Sequence, residues 1–147
     1  MGMHAGATDW HAKLAEFLDD CVGSTQAEQG ARLLEAQDLF ASHGTSRAGF
    51  DNPEARGALN ELIDAGAAVD AALAMIGSAT RFMLSRGGSG TCLATMILSE
   101  GAEEVMGEAA TPALALLAAY AGALLTQAGR DPASASARNA PAGARLH

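Results

Sequence analysis

Large rings are scarce in this sequence. One tryptophan, one tyrosine and four phenylalanines make up 4% of 147 residues, although 49% of the chain is apolar. Alanine, leucine and glycine fill the difference. Small side chains let backbones approach closely, and alanine has the highest helix propensity. Few large residues remain to anchor a broad sheet, so the composition points to closely packed helices within one domain.

Basic residues are also few: nine lysines and arginines stand against 17 acidic residues, a formal charge of -8. Through residue 128 the count is 16 acidic to 6 basic, about -10. Such a body repels phosphate, and it carries no basic stripe to release counterions. Nucleic acid and anionic membranes are therefore not expected partners. Cys21 and Cys92 are too few and too far apart for a disulfide framework, and read as reduced thiols. The N-terminus lacks a basic segment followed by an apolar one, and Pro112 to Ala128 falls short of the roughly 20 apolar residues of a membrane span. The expected location is cytoplasmic. No internal repeat is present.

The elements that are present can be placed by their punctuation. Residues 1–7 are featureless and expected to be flexible. Thr8 or Asp9 caps a first helix whose apolar face is Trp10, Leu14, Phe17, Leu18 and Cys21. Thr25 and Glu28 form a capping box opening a second helix to about Ser42, with Ala27, Leu33, Leu34 and Phe40 inward. Gly44 to Phe50 is a loop. Asn52-Pro53 starts a third helix, which bends or restarts at Gly66.

Arg81 to Arg86 and Thr91 to Leu98 read as two strands around Gly87-Gly88-Ser89-Gly90. Pairing Arg86 with Thr91 places Leu84 opposite Leu93 and Phe82 opposite Thr95, with Met83, Cys92, Ala94 and Met96 on the other face. Neither face is polar, which suggests cover on both. The competing reading continues a helix from Val69 to Ser85. Ser99 to Ala110 fits a short helix, a loop or a third edge strand. Thr111-Pro112 caps a last, strongly apolar helix ending near Gly129. The remainder, poor in anything large to bury, is expected to be a disordered tail over 129–147. The expected fold is α+β, helices packed on a short antiparallel β-hairpin, with an all-α bundle as the alternative and residues 8–128 as the domain.

The order of helix, glycine-broken hairpin, acidic connector and then Ala-Thr-Pro-Ala-Leu-Ala at residues 110–115 resembles the small phage ABA-sandwich domain family. The resemblance covers roughly residues 54–128 and implies a fold but no reaction.

Chemistry-bearing residues are thinly spread. Gly88 and Ser89 lie in a glycine-rich loop of the kind that cradles phosphate when a helix follows, but here a strand follows and no lysine is near. A hairpin turn explains the glycines better. Cys92 is a nucleophile only if a distant partner activates it; otherwise it is a small apolar strand residue. Glu100, Glu103, Glu104 and Glu108 are the densest acidic group, suited to a cation or acid–base work, or simply to a solvated face. The histidines His4, His11, His43 and His147 show no zinc spacing. No catalytic set, metal site or cofactor is therefore expected. Cys92, Gly88, Ser89 and Glu104 are the ligand-binding candidates, within a pocket near Cys92 if the chain is an enzyme or small-molecule binder. The favoured function is a non-catalytic interaction or self-association module. It is expected to be a homodimer joined through the smooth face of the last helix, Ala115, Ala118, Ala119 and Gly122.

Overall fold

The structure, a computed structural model, describes residues 2–41 and 53–129, with side chains from Asp9 onward. The expected loop over 44–50, the tail beyond Gly129 and the histidines His43 and His147 lie outside the described residues, as does the side chain of His4.

The fold is α+β. Helix α1 spans Gly2–Gly23, beginning upstream of the expected cap at Thr8. Trp10, Leu14, Phe17 and Cys21 are buried on one face, as their spacing requires. The capping box forms: the Thr25 backbone amide and hydroxyl both donate to the Glu28 carboxylate, at 2.8 and 3.3 Å. These bonds to the charged form hold the carboxyl below its ordinary pKa. The box opens a 3-10 turn, Gln26–Glu28, which leads into α2, Gln29–Ala41. The tighter turn resets the helical phase. Leu33, Ala36, Gln37 and Phe40 face inward, whereas Leu34, expected inside, is 48% exposed.

Pro53 opens α3, Pro53–Asp64, and the chain restarts after Gly66 as α4, Ala68–Ile76. Helix α4 ends at Gly77, so the long helix from Val69 to Ser85 does not form. Three antiparallel strands follow in the order β1 (Arg81–Arg86), β2 (Cys92–Ile97) and β3 (Val105–Ala109). The acidic stretch of residues 99–110 thus contains a turn and a third strand. Helix α5, Pro112–Ala128, closes the fold, and Thr111 caps it by accepting the Leu114 amide at 3.1 Å. The Thr111 hydroxyl also donates to Gln29 at 2.8 Å, which ties the start of α5 to the start of α2.

Helix α5 is the axis of the core, buried from Ala113 through Ala121. Leu114, Leu116 and Leu117 are fully enclosed. The Tyr120 ring lies edge-on to Phe40 at 4.9 Å, and Phe40 edge-on to Phe17 at 5.9 Å, joining α5, α2 and α1 with few aromatic residues. Among the described residues no helix is long and apolar enough to cross a membrane.

The hairpin register differs from the expected one by a single residue. Gly87 N–H donates to the Thr91 carbonyl at 2.9 Å, Gly90 N–H to the Gly87 carbonyl at 3.0 Å, and Gly90 takes φ +93°. Thr91 is consequently inside the turn, and Arg86 pairs with Cys92 rather than with Thr91. Leu84 then opposes Ala94 and Phe82 opposes Met96. A one-residue slip exchanges the faces of a strand, so Met83 lies on the face opposite Cys92, Ala94 and Met96.

Candidate functional site

The two faces of the sheet follow from this register. Cys92, Ala94 and Met96 of β2 and Gly107 and Ala109 of β3 turn toward α5 and are buried. Gly107 is required by the packing. A β-carbon there would lie within the Ala119 backbone and 2.8 Å from the Ala115 carbonyl oxygen. One turn further along, a β-carbon on Gly122 would meet Val105 Cγ1 at 3.1 Å. The smooth face of α5, expected to seek a partner chain, is therefore filled from within the chain. Ala115, Ala118 and Ala119 have no exposed surface, and Gly122 is half-buried. This corrects their assignment as an interface. Gly107 in β3 provides part of that cover, and α1 also packs along α5.

The other face has no such cover. Its residues alternate with those above and form rows across the strands: Arg81 and Ile97; Met83, Thr95 and Met106; Ser85, Leu93 and Glu108. The described helix contacts of the sheet come from α5 and α1, and none comes from α2, α3 or α4. Met83 is 69% exposed and Met106 61%, while Leu93, Thr95 and Ile97 on the central strand are half-buried by their neighbours. The expectation of cover on both faces is thus not met by the described residues.

This face is apolar through its centre and charged at its rim. The rim is asymmetric: Arg81 is on the β1 side and Glu108 is on the β3 side. Arg81 also lies 3.8 Å from Glu100 in an exposed, loosely held pair. Beyond it, all six residues of β1 are exposed, and the outer edge of this strand has no neighbour in the three-stranded sheet.

The other candidates do not converge. Cys92 is buried on the helix side, where its thiol lies 3.9 Å from the Gly90 carbonyl. Gly88 and Ser89 are exposed at the hairpin tip, and the Ser89 hydroxyl bonds to Thr91 at 3.3 Å. Glu104 is exposed in the connection just before β3. Grooves among the described residues lie elsewhere. One of about 470 Å³ runs between α1 and α2 and is lined by Lys13, Glu16, Asp20, Glu35 and Asp38. A second lies at the start of α5 around Thr111 and Arg86, and a third beside Ser99 and Thr126. None of these three grooves is lined by Cys92, Gly88, Ser89 or Glu104. No group of three or more potential metal ligands is found among the described residues. Burial pushes the Cys21 thiol up to about 12, a setting that suppresses the thiolate.

The open face was missed from the sequence because it depends on two things at once: the existence of β3 and the exact hairpin register. A period-two signal was absent, since β1 and β2 carry apolar residues at both parities. No protein family matches this chain, and no curated protein or solved structure matches it.

Proposed function

We propose that the protein is a non-catalytic interaction module whose working surface is the open face of its sheet. The observation that carries this reading is the contiguous set Met83, Leu93, Thr95, Ile97 and Met106, apolar except for one threonine and uncovered by any described helix. Contiguous apolar surface rimmed by polar residues marks contact sites. Sheets with one face on a core normally carry polar residues on the other. The chemical candidates lie apart, so they offer this reading no competitor. Two thiols, both buried and free, suit a reducing compartment such as the cytoplasm.

Methionine oxidation tests the reading directly. Met83 and Met106 are exposed thioethers on the face itself, whereas Met75 and Met96 are buried. A brief peroxide pulse on the dilute purified protein should oxidise the first pair and spare the second. In the cells that produce the protein, a partner on the face should protect Met83 and Met106 at least several-fold. Equal oxidation in both settings would overturn the proposal.

A further inference from the structure

We propose that Met83 and Met106 are a reversible modification site that switches this face off: oxidation of both thioethers to sulfoxides removes its hold on an apolar partner. The inference rests on the interaction-module reading and adds a means of regulating that surface.

The apolar continuity of the face resides in these two side chains. The central strand contributes Leu93 and Ile97, which Thr95 separates and which lie roughly 13 Å apart along the strand. Met83 on one flank and Met106 on the other both oppose Thr95, so each lies diagonal to Leu93 and to Ile97. Diagonal neighbours on one face of a sheet are within reach of a long side chain. The methionines are therefore the bridges. Without them Leu93 stands among Ser85, Thr95 and Glu108, and Ile97 stands beside Arg81 and Thr95. Two sulfoxides would make the middle row polar from one edge of the sheet to the other, and the apolar patch would be reduced to two separate side chains.

Exposure makes the site selective. Met83 is 69% exposed and Met106 61%, whereas Met75 and Met96 have no exposed surface. Met96 belongs to the same central strand but turns toward α5. An oxidant thus reaches the open face and spares the core, so the fold outlasts the change at its surface. The oxidant is a peroxide. A sulfur lone pair attacks one peroxide oxygen, the S–O bond forms as the O–O bond breaks, the sulfur gives up two electrons, and the second oxygen leaves as water. Reversal needs two thiols, supplied by methionine sulfoxide reductases: they take the oxygen off as water and become a disulfide. A partner seated on the face shields both sulfurs, so oxidation acts on free molecules and keeps them from binding again.

Retention of the full chain on phenyl-agarose, at a fixed ammonium sulfate concentration, measures the hold of the face on an apolar surface. After a hydrogen peroxide pulse, peptide mass spectrometry should place sulfoxides at Met83 and Met106 and none at Met75 or Met96. Retention should fall by at least about threefold. Sulfoxide reductases of both stereospecificities, with dithiothreitol, should restore it. A Met83→Leu, Met106→Leu double variant should be retained like the parent before and after the pulse, which removes any contribution from the other methionines. The corresponding double glutamine variant should be weakly retained from the start. Circular dichroism melts establish that each form is folded. Full oxidation at both positions with retention unchanged would overturn the inference, as would an equal loss in the leucine variant or sulfoxides that the reductases cannot remove. In each of these cases a well-retained parent leaves the interaction-module reading standing. A parent no better retained than the double glutamine variant would bring down both.

Discussion

The helix-side and open faces of the same three strands differ in what covers them more than in what they carry. Toward α5, β2 and β3 present the small Cys92, Ala94, Gly107 and Ala109, while Phe82, Leu84, Met96 and Val105 share that face. Away from it they present Met83, Leu93, Ile97 and Met106. Large apolar residues thus stand on both faces, and the smallest lie where α5 runs closest to the sheet. The helix explains it. Helix α5 brings its own leucines and Tyr120 to the core and lies so close to β3 that only a glycine fits at position 107. At position 107 there is no room for size. On the open side there is room but no described cover, and apolar area remains there for another molecule.

The largest effect should come from adding volume where the helix and β3 touch. Gly107→Ala places a methyl group within the Ala119 backbone, so the strand or the helix must move. The expected loss is about 3 kcal/mol or more in denaturant unfolding. Ala119→Arg, which introduces a charge at a fully enclosed site, should leave no folded population by circular dichroism. A Gly107→Ala protein within about 1 kcal/mol of the parent would mean that the contact is looser than the distances indicate.

Alkaline titration acts on the same interior. The Cys21 thiol ordinarily titrates near 9.0 and is pushed up to about 12 by burial. Unfolded chains lose this proton from about pH 9 upward while the folded chain keeps it. The contribution is complete below pH 9 and is lost between 9 and 12, with a slope of at most about 1.4 kcal/mol per pH unit. Comparing Cys21→Ala with the parent should show that part of the slope flattened, whatever happens to the plateau.

A smaller change is expected at the entrance to α5. Thr111→Ala removes an N-cap and a bond to Gln29, and should cost about 1–2 kcal/mol by thermal or denaturant melting. Smallest of all should be changes on the open face. Met83→Gln and Met106→Gln, measured at sub-micromolar concentration, should each stay within about 0.5 kcal/mol of the parent. In the same dilute protein a Thr95→Cys thiol should react with a maleimide on mixing, while Cys21 and Cys92 wait for unfolding. A stability loss of several kcal/mol from either methionine change would end the contrast, since it would mean that this face is already covered within the chain.

Much of the helical frame is readable from local chemistry. The spacing of Trp10, Leu14, Phe17 and Cys21, the Thr25–Glu28 box and the Thr111-Pro112 start all act within a few residues, and all are found as expected. The register is not readable. A loop of four residues and a loop of five suit Gly87-Gly88-Ser89-Gly90-Thr91 equally well until the Gly87–Thr91 bond is seen, and apolar residues on both faces give no parity to decide between them. The smooth side of α5 is legible as a close-contact surface, but the partner expected for it is the wrong one. Nothing near residue 107 in the sequence says that a strand glycine will lie against Ala115 and Ala119. Glu104 stands in the sequence as part of an acidic cluster, and the structure leaves it exposed just before β3.

The exposed outer edge of β1 has a further consequence, for the solution behaviour of the chain at high concentration. Phe82, Met83 and Leu84 form a short apolar strand with unsatisfied backbone groups along one side, the kind of template on which fibrils grow. Arginine stands at each end of it, at positions 81 and 86. In-register stacking of identical segments would pile these guanidinium groups one above another along the fibril axis, at about 4.8 Å intervals. The two arginines thus act as gatekeepers against open-ended growth from this edge.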